Sequence, residues 1–160
     1  MTASRFGQSI PEGGDSGEPE ERLYQRCKEL LHEDEAHLQL LDFRKATQTL
    51  RALWSTGNLY LDERAPWHLI KQDRITTAMV LRTAINLIYL FALASWPVIP
   101  FTSEKLFEAL HLSKDERKQL PADVLSLDIL YANRSFDVPP PLFRKIEDTE
   151  VHDLSEQYGG

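Results

Sequence analysis

The 160-residue chain is predicted to fold as an all-α bundle of about five helices, and three features predict it. Apolar residues recur every third or fourth position through residues 19–64, the spacing that gathers them on one face of a helix. From Ala84 to Phe101 no charge interrupts a mostly apolar run, as expected of a central helix buried on every side. Prolines fall between these stretches, where they end helices instead of kinking them. With 42% hydrophobic residues the chain has material for one core.

Residues 7–19 (GQSIPEGGDSGEP) combine Gly, Pro, Ser and acids around an isolated Ile10. This predicts a flexible segment over residues 1–18 and a helical domain over residues 19–160. The first helix, about 19–40, turns Leu23, Cys27, Leu30, Leu31, Leu38 and Leu41 inward, and Glu33 to Glu35 mark where it could be interrupted. Glu20 and Glu21 fall in its first turn, where carboxylates favour the positive end of the helix dipole. Asp42 is placed to cap a second helix running to about Arg64. Phe43, Ala46, Leu50, Leu53, Trp54, Gly57 and Leu61 form its packing face, and Arg44, Gln48, Arg51, Ser55, Asn58 and Asp62 its polar stripe. Gly57 is unfavourable inside a helix by about 1 kcal/mol relative to Ala, so a neighbouring helix should approach closely there, or the helix should end early.

Pro66 and Trp67 stop the second helix and leave room for one short turn before Asp73 caps the third. The uncharged stretch is long enough to raise the question of a membrane span. Arg82 and Asn86 at its start, Pro97 and Pro100 at its end, and a dense apolar part of only Ile85 to Ala94 favour a buried helix, with no membrane partner. Pro97 ends this helix, Pro100 keeps the connection extended, and Thr102 is expected to cap a fourth helix with Leu106, Phe107, Leu110 and Leu112 inside. Ser113 to Glu116 has the pattern of a capping box for a short fifth helix. Residues 121–138 are compatible with a strand, a 3-10 turn or a loop. Pro139 to Pro141 form a spacer that returns Leu142 and Phe143 to the bundle, and a last helix begins at Asp148 or Thr149.

Charge is distributed unevenly. The whole chain carries −7, but residues 1–36, 37–112 and 113–160 carry −5, +2 and −4. An acidic protein of this size does not bind nucleic acid through bulk charge, so any such role needs a local face. A single cysteine, Cys27, excludes a disulfide framework and a Cys-rich zinc site, and suits a reducing cytoplasm. Met1 to Glu18 lacks the apolar core of a signal peptide. The five histidines are scattered without a pair at i, i+4, so no metal site is expected. No glycine-rich phosphate loop and no GxSxG elbow occurs. No catalytic residue is assigned.

The block Gly57 to Trp67 (GNLYLDERAPW), an N-x-Y-x5-P-W pattern after an amphipathic helix, resembles the C-terminal helical anticodon-binding domain of class I methionyl-tRNA synthetases. Lys71, the Ala84-Ile85-Asn86-Leu87 start of the apolar helix, Pro97-Val98-Ile99-Pro100, and Pro141 to Asp148 (PLFRKIED) continue the resemblance over about residues 40–150. The resemblance implies recognition of the tRNA(Met) anticodon, with no cofactor in this chain. ATP and methionine would bind a catalytic domain of the same enzyme, whose HIGH and KMSKS motifs do not occur here. It also implies an Asn and an Arg on a helix upstream of the matched region, with Ser4 to Gly7 resembling the tail of that stretch, and a stacking Trp after the fourth helix. No Trp follows Trp96, and Leu125 to Leu127 stand near the expected place.

Bases are read by stacking on aromatic or guanidinium planes, and phosphates are positioned by Lys and Arg. The contact candidates are therefore Arg44 and Arg51 on the polar stripe, Lys71 and Arg74 around the turn, and Arg134. Asn58, Tyr60, Pro66 and Trp67 are expected to be scaffold, with Asn58 or Tyr60 satisfying a buried Trp67 N–H. Trp54 and Trp96 are expected in the core. The alternative function is a free-standing helical protein-interaction module built on the same scaffold.

Overall fold

A computed structural model describes residues 2–119, 129–144 and 146–158. Its helices are α1 (Thr2–Phe6), α2 (Glu18–Gln39), α3 (Phe43–Arg64), α4 (Pro66–Leu69), α5 (Arg74–Ser95), α6 (Pro100–Ala109) and α7 (Asp148–Tyr158), with a 3-10 turn at Glu116–Lys118. Among the described residues no strand forms, so the predicted all-α bundle is the architecture found.

The long helices begin where the sequence places their caps. Asp42 accepts the Lys45 N–H at 3.2 Å, and Asp73 accepts the Thr76 N–H at 2.9 Å. Each carboxylate takes up a donor that the first turn leaves unpaired, and both are held below the usual carboxylate range, Asp42 chiefly by the Lys45 N–H and Asp73 chiefly by the Thr76 hydroxyl and then by the Thr76 N–H. No interruption occurs at Glu33 to Glu35: α2 runs unbroken, with exposed Arg22–Glu18 and Gln25–Glu21 pairs one turn apart. The tight turn Leu40 to Asp42 reverses the chain, so α3 packs antiparallel along α2 through Leu23, Cys27, Leu30, Leu50 and Leu53.

Helix α5 is the central element. It is long and apolar enough to cross a membrane by composition, yet 78% of its apolar window is buried inside the bundle. Gly57 explains how α3 lies so close to it: a Cβ at that position would stand 2.7 Å from the Phe91 ring. The close approach expected of Gly57 is thus made by α5.

Helix α6 starts one turn earlier than expected. Pro100 is its first residue and Ile99 its cap, so Thr102 lies inside the first turn. Proline suits that position because its missing N–H would have no helical partner there. The Ser113–Glu116 capping box forms, with Ser113 N–H to Glu116 Oε2 at 2.7 Å and Glu116 N–H to Ser113 Oγ at 3.3 Å. Only the 3-10 turn follows it, because Gln119 turns extended.

The N-terminal segment, expected to be flexible, opens with the short helix α1, and the irregular stretch that follows over residues 7–17 is not a free linker. Ile10 is buried in the core, its N–H donates to Arg134 O and its C=O accepts from Asn133 N–H, each at 2.8 Å. Phe136 N–H donates to Gln8 O at 3.1 Å, and Ser9 bridges Ser135. The backbone then crosses α5 so closely that a Cβ on Gly13 would lie 2.3 Å from Met79 N, and Arg82 Nη2 donates to Gly14 O at 3.1 Å. A polar composition hid one apolar anchor and the reason for its glycines. Gly13→Ala is expected to destabilise the fold by about 1–3 kcal/mol, seen as a lower urea midpoint, because the obstructing atoms are backbone.

At the other terminus, Leu142 is half-buried but Phe143 remains 68% exposed, so the expected docking is only partly realised. Helix α7 starts at Asp148 as expected and buries no residue. Residues 121–128, part of the stretch left open between strand, turn and loop, lie outside the described residues; residues 129–138 are irregular, anchored by buried Leu130 and Phe136.

Candidate nucleic-acid interface

The exit of α3 is fixed by a buried polar cluster. Glu20, 4% exposed in the first turn of α2, accepts the Gly17 N–H on Oε2 at 2.9 Å and the Tyr60 hydroxyl on Oε1 at 2.8 Å. Arg64 Nε lies 3.1 Å from the same Oε1. Burial, reinforced by Glu20, pushes the Tyr60 hydroxyl far above its ordinary range, so it stays a donor. One residue beyond Arg64, Ala65 takes a left-handed φ of 40°, and buried Pro66 starts α4. That corner carries Trp67 outward.

Trp67 is 46% exposed and meets the His68 ring edge-on at 6.3 Å between centroids. Its indole is not the buried group expected, and neither Asn58 nor Tyr60 serves it: Asn58 is exposed on the polar stripe and Tyr60 is committed to Glu20. A four-residue helix at a chain reversal has too little depth to enclose an indole. On sequence alone this pair reads as scaffold; the signal that could have marked Trp67 as exposed is the Pro-Trp pair at a short turn between two long helices. Lys71, one turn further, is exposed and makes no ion pair among the described residues. Arg74 is less free, since Nη2 donates to Arg5 O at 3.0 Å and the guanidinium lies 4.4 Å over the Phe6 ring.

The remaining candidates lie elsewhere. Arg44 and Arg51 are exposed and make no ion pair among the described residues, on the stripe the spacing predicted. At 1.5 Å per residue, Arg44 stands about 30 Å along α3 from Arg64, far from the Trp67 corner. Arg134 is not a surface cation. Its guanidinium pairs with Glu116 through both terminal nitrogens, Nη2 at 3.1 Å from Oε2, and Nη2 also donates to His111 O at 2.8 Å. Arg134 thereby holds the Glu116 carboxyl down at about 2. A carboxyl with a lowered folded-state value adds stability above its unfolded value of about 4.5, and loses it as pH falls towards 2. The unfolding midpoint is therefore expected to drop through that acid window, and to drop less in Glu116→Gln, as followed by thermal melts at stepped pH.

The other tryptophans divide. Trp54 is half-buried, its Nε1 donating to Ser95 Oγ at 3.2 Å, whereas Trp96 is 49% exposed and donates to Glu104 Oε1 at 3.2 Å, so it is not a core residue. Buried Cys27 has its thiol pushed up to about 12 by desolvation, which removes it from nucleophilic chemistry at neutral pH. Among the described residues no group of three His, Cys, Asp or Glu side chains is placed to hold a metal. Leu125 to Leu127 lie outside the described residues.

The geometry is thus a bundle of long helices that turns at buried Pro66 and half-exposed Trp67, with cations along one exposed stripe of α3. A profile of the family described as "Anticodon binding domain of methionyl tRNA ligase" matches residues 10–160, and the chain belongs to that family. It is 52% identical over 160 residues to methionine-tRNA ligase 1 of Acaryochloris marina, covering all of this chain and 29% of that protein. It is 45% identical over 161 residues to the methionine-tRNA ligase of Streptomyces avermitilis, covering all of this chain and 28% of the relative. The chain thus spans under a third of the length of these relatives. The free-state crystal structure of Mycobacterium tuberculosis methionyl-tRNA synthetase superposes with a TM-score of 0.79, over 92% of this chain and 30% of that one; at 18% identity this establishes the shared fold.

Proposed function

We propose that the chain binds the anticodon arm of tRNA(Met) at the Pro66–Lys71 corner. It thereby supports cytoplasmic, ATP-dependent ligation of methionine by a catalytic domain of the same enzyme, where ATP and methionine bind. The observation that carries this reading is Trp67: an indole held half in solvent on a proline-fixed corner, beside an exposed lysine that makes no ion pair among the described residues. An unstacked base offers a π-face that such a ring covers, and Lys71 is placed to meet a flanking phosphate. Arg44 and Arg51 extend a positive track along α3 for the backbone of a longer RNA. Arg74, held against Phe6, supports the corner's charge, and Arg134 serves the fold.

The test is an electrophoretic shift of the purified chain with initiator tRNA and with an unrelated tRNA, at two salt concentrations. Selective retardation that survives moderate salt supports base reading. Retardation of both RNAs alike, falling steeply with salt, reduces the role to phosphate contact. No retardation of either at low salt overturns the proposal and leaves the protein-docking alternative.

A further inference from the structure

We propose that Glu20 is a positioning residue for this RNA-binding corner, acting through Arg64 and Tyr60 on Trp67. The proposal rests on the tRNA reading above. Carboxylates of the first turn of a helix are ordinarily solvated, where they face the dipole and cap the backbone. Glu20 performs the capping, since Oε2 takes the Gly17 N–H, but it is 4% exposed and turns its other oxygen away from its own helix. That oxygen accepts the Tyr60 hydroxyl at 2.8 Å, and the Arg64 guanidinium forms an ion pair with it, Nε standing 3.1 Å away without a hydrogen bond, both from the last two turns of α3. One carboxylate thereby joins the start of α2 to the end of α3, the helix that leads into the corner.

The placement of this cluster matters more than its strength. Arg64 is the last residue of α3, and the chain then makes its left-handed step at Ala65 and its proline-fixed entry into α4. Three peptide bonds separate the Arg64 Cα from that of Trp67, and both intervening residues, Ala65 and Pro66, have restricted backbones. Any rotation of the last turn of α3 is therefore transmitted to the direction in which the indole points. A buried anion at this point costs desolvation that an apolar contact would avoid, so its presence calls for a role in geometry, which a directed carboxylate supplies and a leucine does not.

The experiment is a double-mutant cycle on binding of a fluorescently labelled CAU anticodon stem-loop, with circular dichroism and a urea titration on every variant. Glu20→Gln keeps the shape and removes the charge, and Tyr60→Phe removes only the hydroxyl. Each is combined with Trp67→Ala. With Trp67 present, Glu20→Gln is expected to weaken binding about tenfold and Tyr60→Phe about threefold, within the range of coupling between residues of one network. In the Trp67→Ala background, both losses should shrink to under about twofold. If Glu20→Gln does not fold, Tyr60→Phe carries the cycle. Equal losses in both backgrounds would show an effect on the fold alone and overturn the proposal, as would no loss in either. If Trp67→Ala itself leaves binding unchanged, the tRNA reading of the corner fails, a result distinguishable from failure of Glu20.

Discussion

Trp67→Ala is expected to weaken binding of the anticodon stem-loop by about 5- to 150-fold while leaving the urea midpoint nearly unchanged. The range follows from the worth of one base stacked on one aromatic ring, about 1–3 kcal/mol, converted to a ratio of dissociation constants. The small stability effect follows from the ring's position: half of it is in solvent, and the corner is set by Pro66, Ala65 and the Glu20 cluster. Trp67→Phe, which keeps a smaller π-face, should recover part of the loss, whereas Trp54→Phe, on the half-buried ring bonded to Ser95, should leave affinity unchanged. Fluorescence anisotropy of labelled RNA at fixed salt measures all three. A drop in urea midpoint that parallels the loss of affinity would mean that Trp67 serves the fold and not the RNA.

The second large effect concerns stability. Asn86 is buried in α5; its Oδ1 accepts the Leu130 N–H at 2.8 Å, and its Nδ2 donates to Leu130 O at 3.2 Å. One side chain thereby satisfies both backbone groups of a buried residue in an irregular segment that has no ladder to join. Asn86→Leu keeps the volume and leaves both groups unpaired. The expected loss is about 3 kcal/mol, given roughly 1–3 kcal/mol for each buried polar group left without a partner. Asn58→Leu, on the exposed stripe, is the control and should shift stability by under about 0.5 kcal/mol. Chemical denaturation compares them directly. A loss for Asn86→Leu no larger than for Asn58→Leu would contradict the clamp.

Local rules were readable wherever the deciding partner lies within a few residues. Asp42 and Asp73 cap because the donors they take are three positions on, and Pro66 breaks α3 because its own ring forbids another helical turn. Gly57 was readable as a close approach, although only the packed structure identifies Phe91 as the group that requires it. What sequence left hidden depends on partners far along the chain. Arg134 looked like a free cation in a loop, since nothing near it in sequence announces Glu116 or the carbonyl of His111. Ile10 looked isolated in a polar stretch, and its pairing with residues 133 and 134 is a contact across more than a hundred positions. Glu20 looked like one more solvated acid of a first turn, and its partners Tyr60 and Arg64 are forty or more residues away. Trp67 and Trp96 failed for another reason: a large apolar residue was equated with a core residue, although indoles are amphipathic and commonly stand at surfaces and interfaces.

The same contrast resolves the charge pattern. A net charge of −7 places the chain among acidic proteins, and the +2 of residues 37–112 is too small to act as bulk attraction. Arg44, Arg51 and Lys71 are exposed without ion pairs among the described residues, whereas cations of the acidic ends such as Arg22, Arg26, Arg134 and Arg144 are paired with carboxylates. Counting charges by segment separates the mildly basic middle from the acidic ends, and the pairing shows which of its cations stand exposed without a carboxylate among the described residues.

The most direct measurement uses Trp67 as the only indole, in the chain carrying Trp54→Phe and Trp96→Phe. Its fluorescence is followed while a CAU anticodon stem-loop is titrated in, beside a loop of the same stem with the middle anticodon base changed. Stacking at the corner requires saturable quenching by the CAU loop, and weaker binding with less quenching by the altered one. Binding of the CAU loop, detected by anisotropy of the labelled RNA, with no change in Trp67 emission would contradict the placement of the anticodon at this corner.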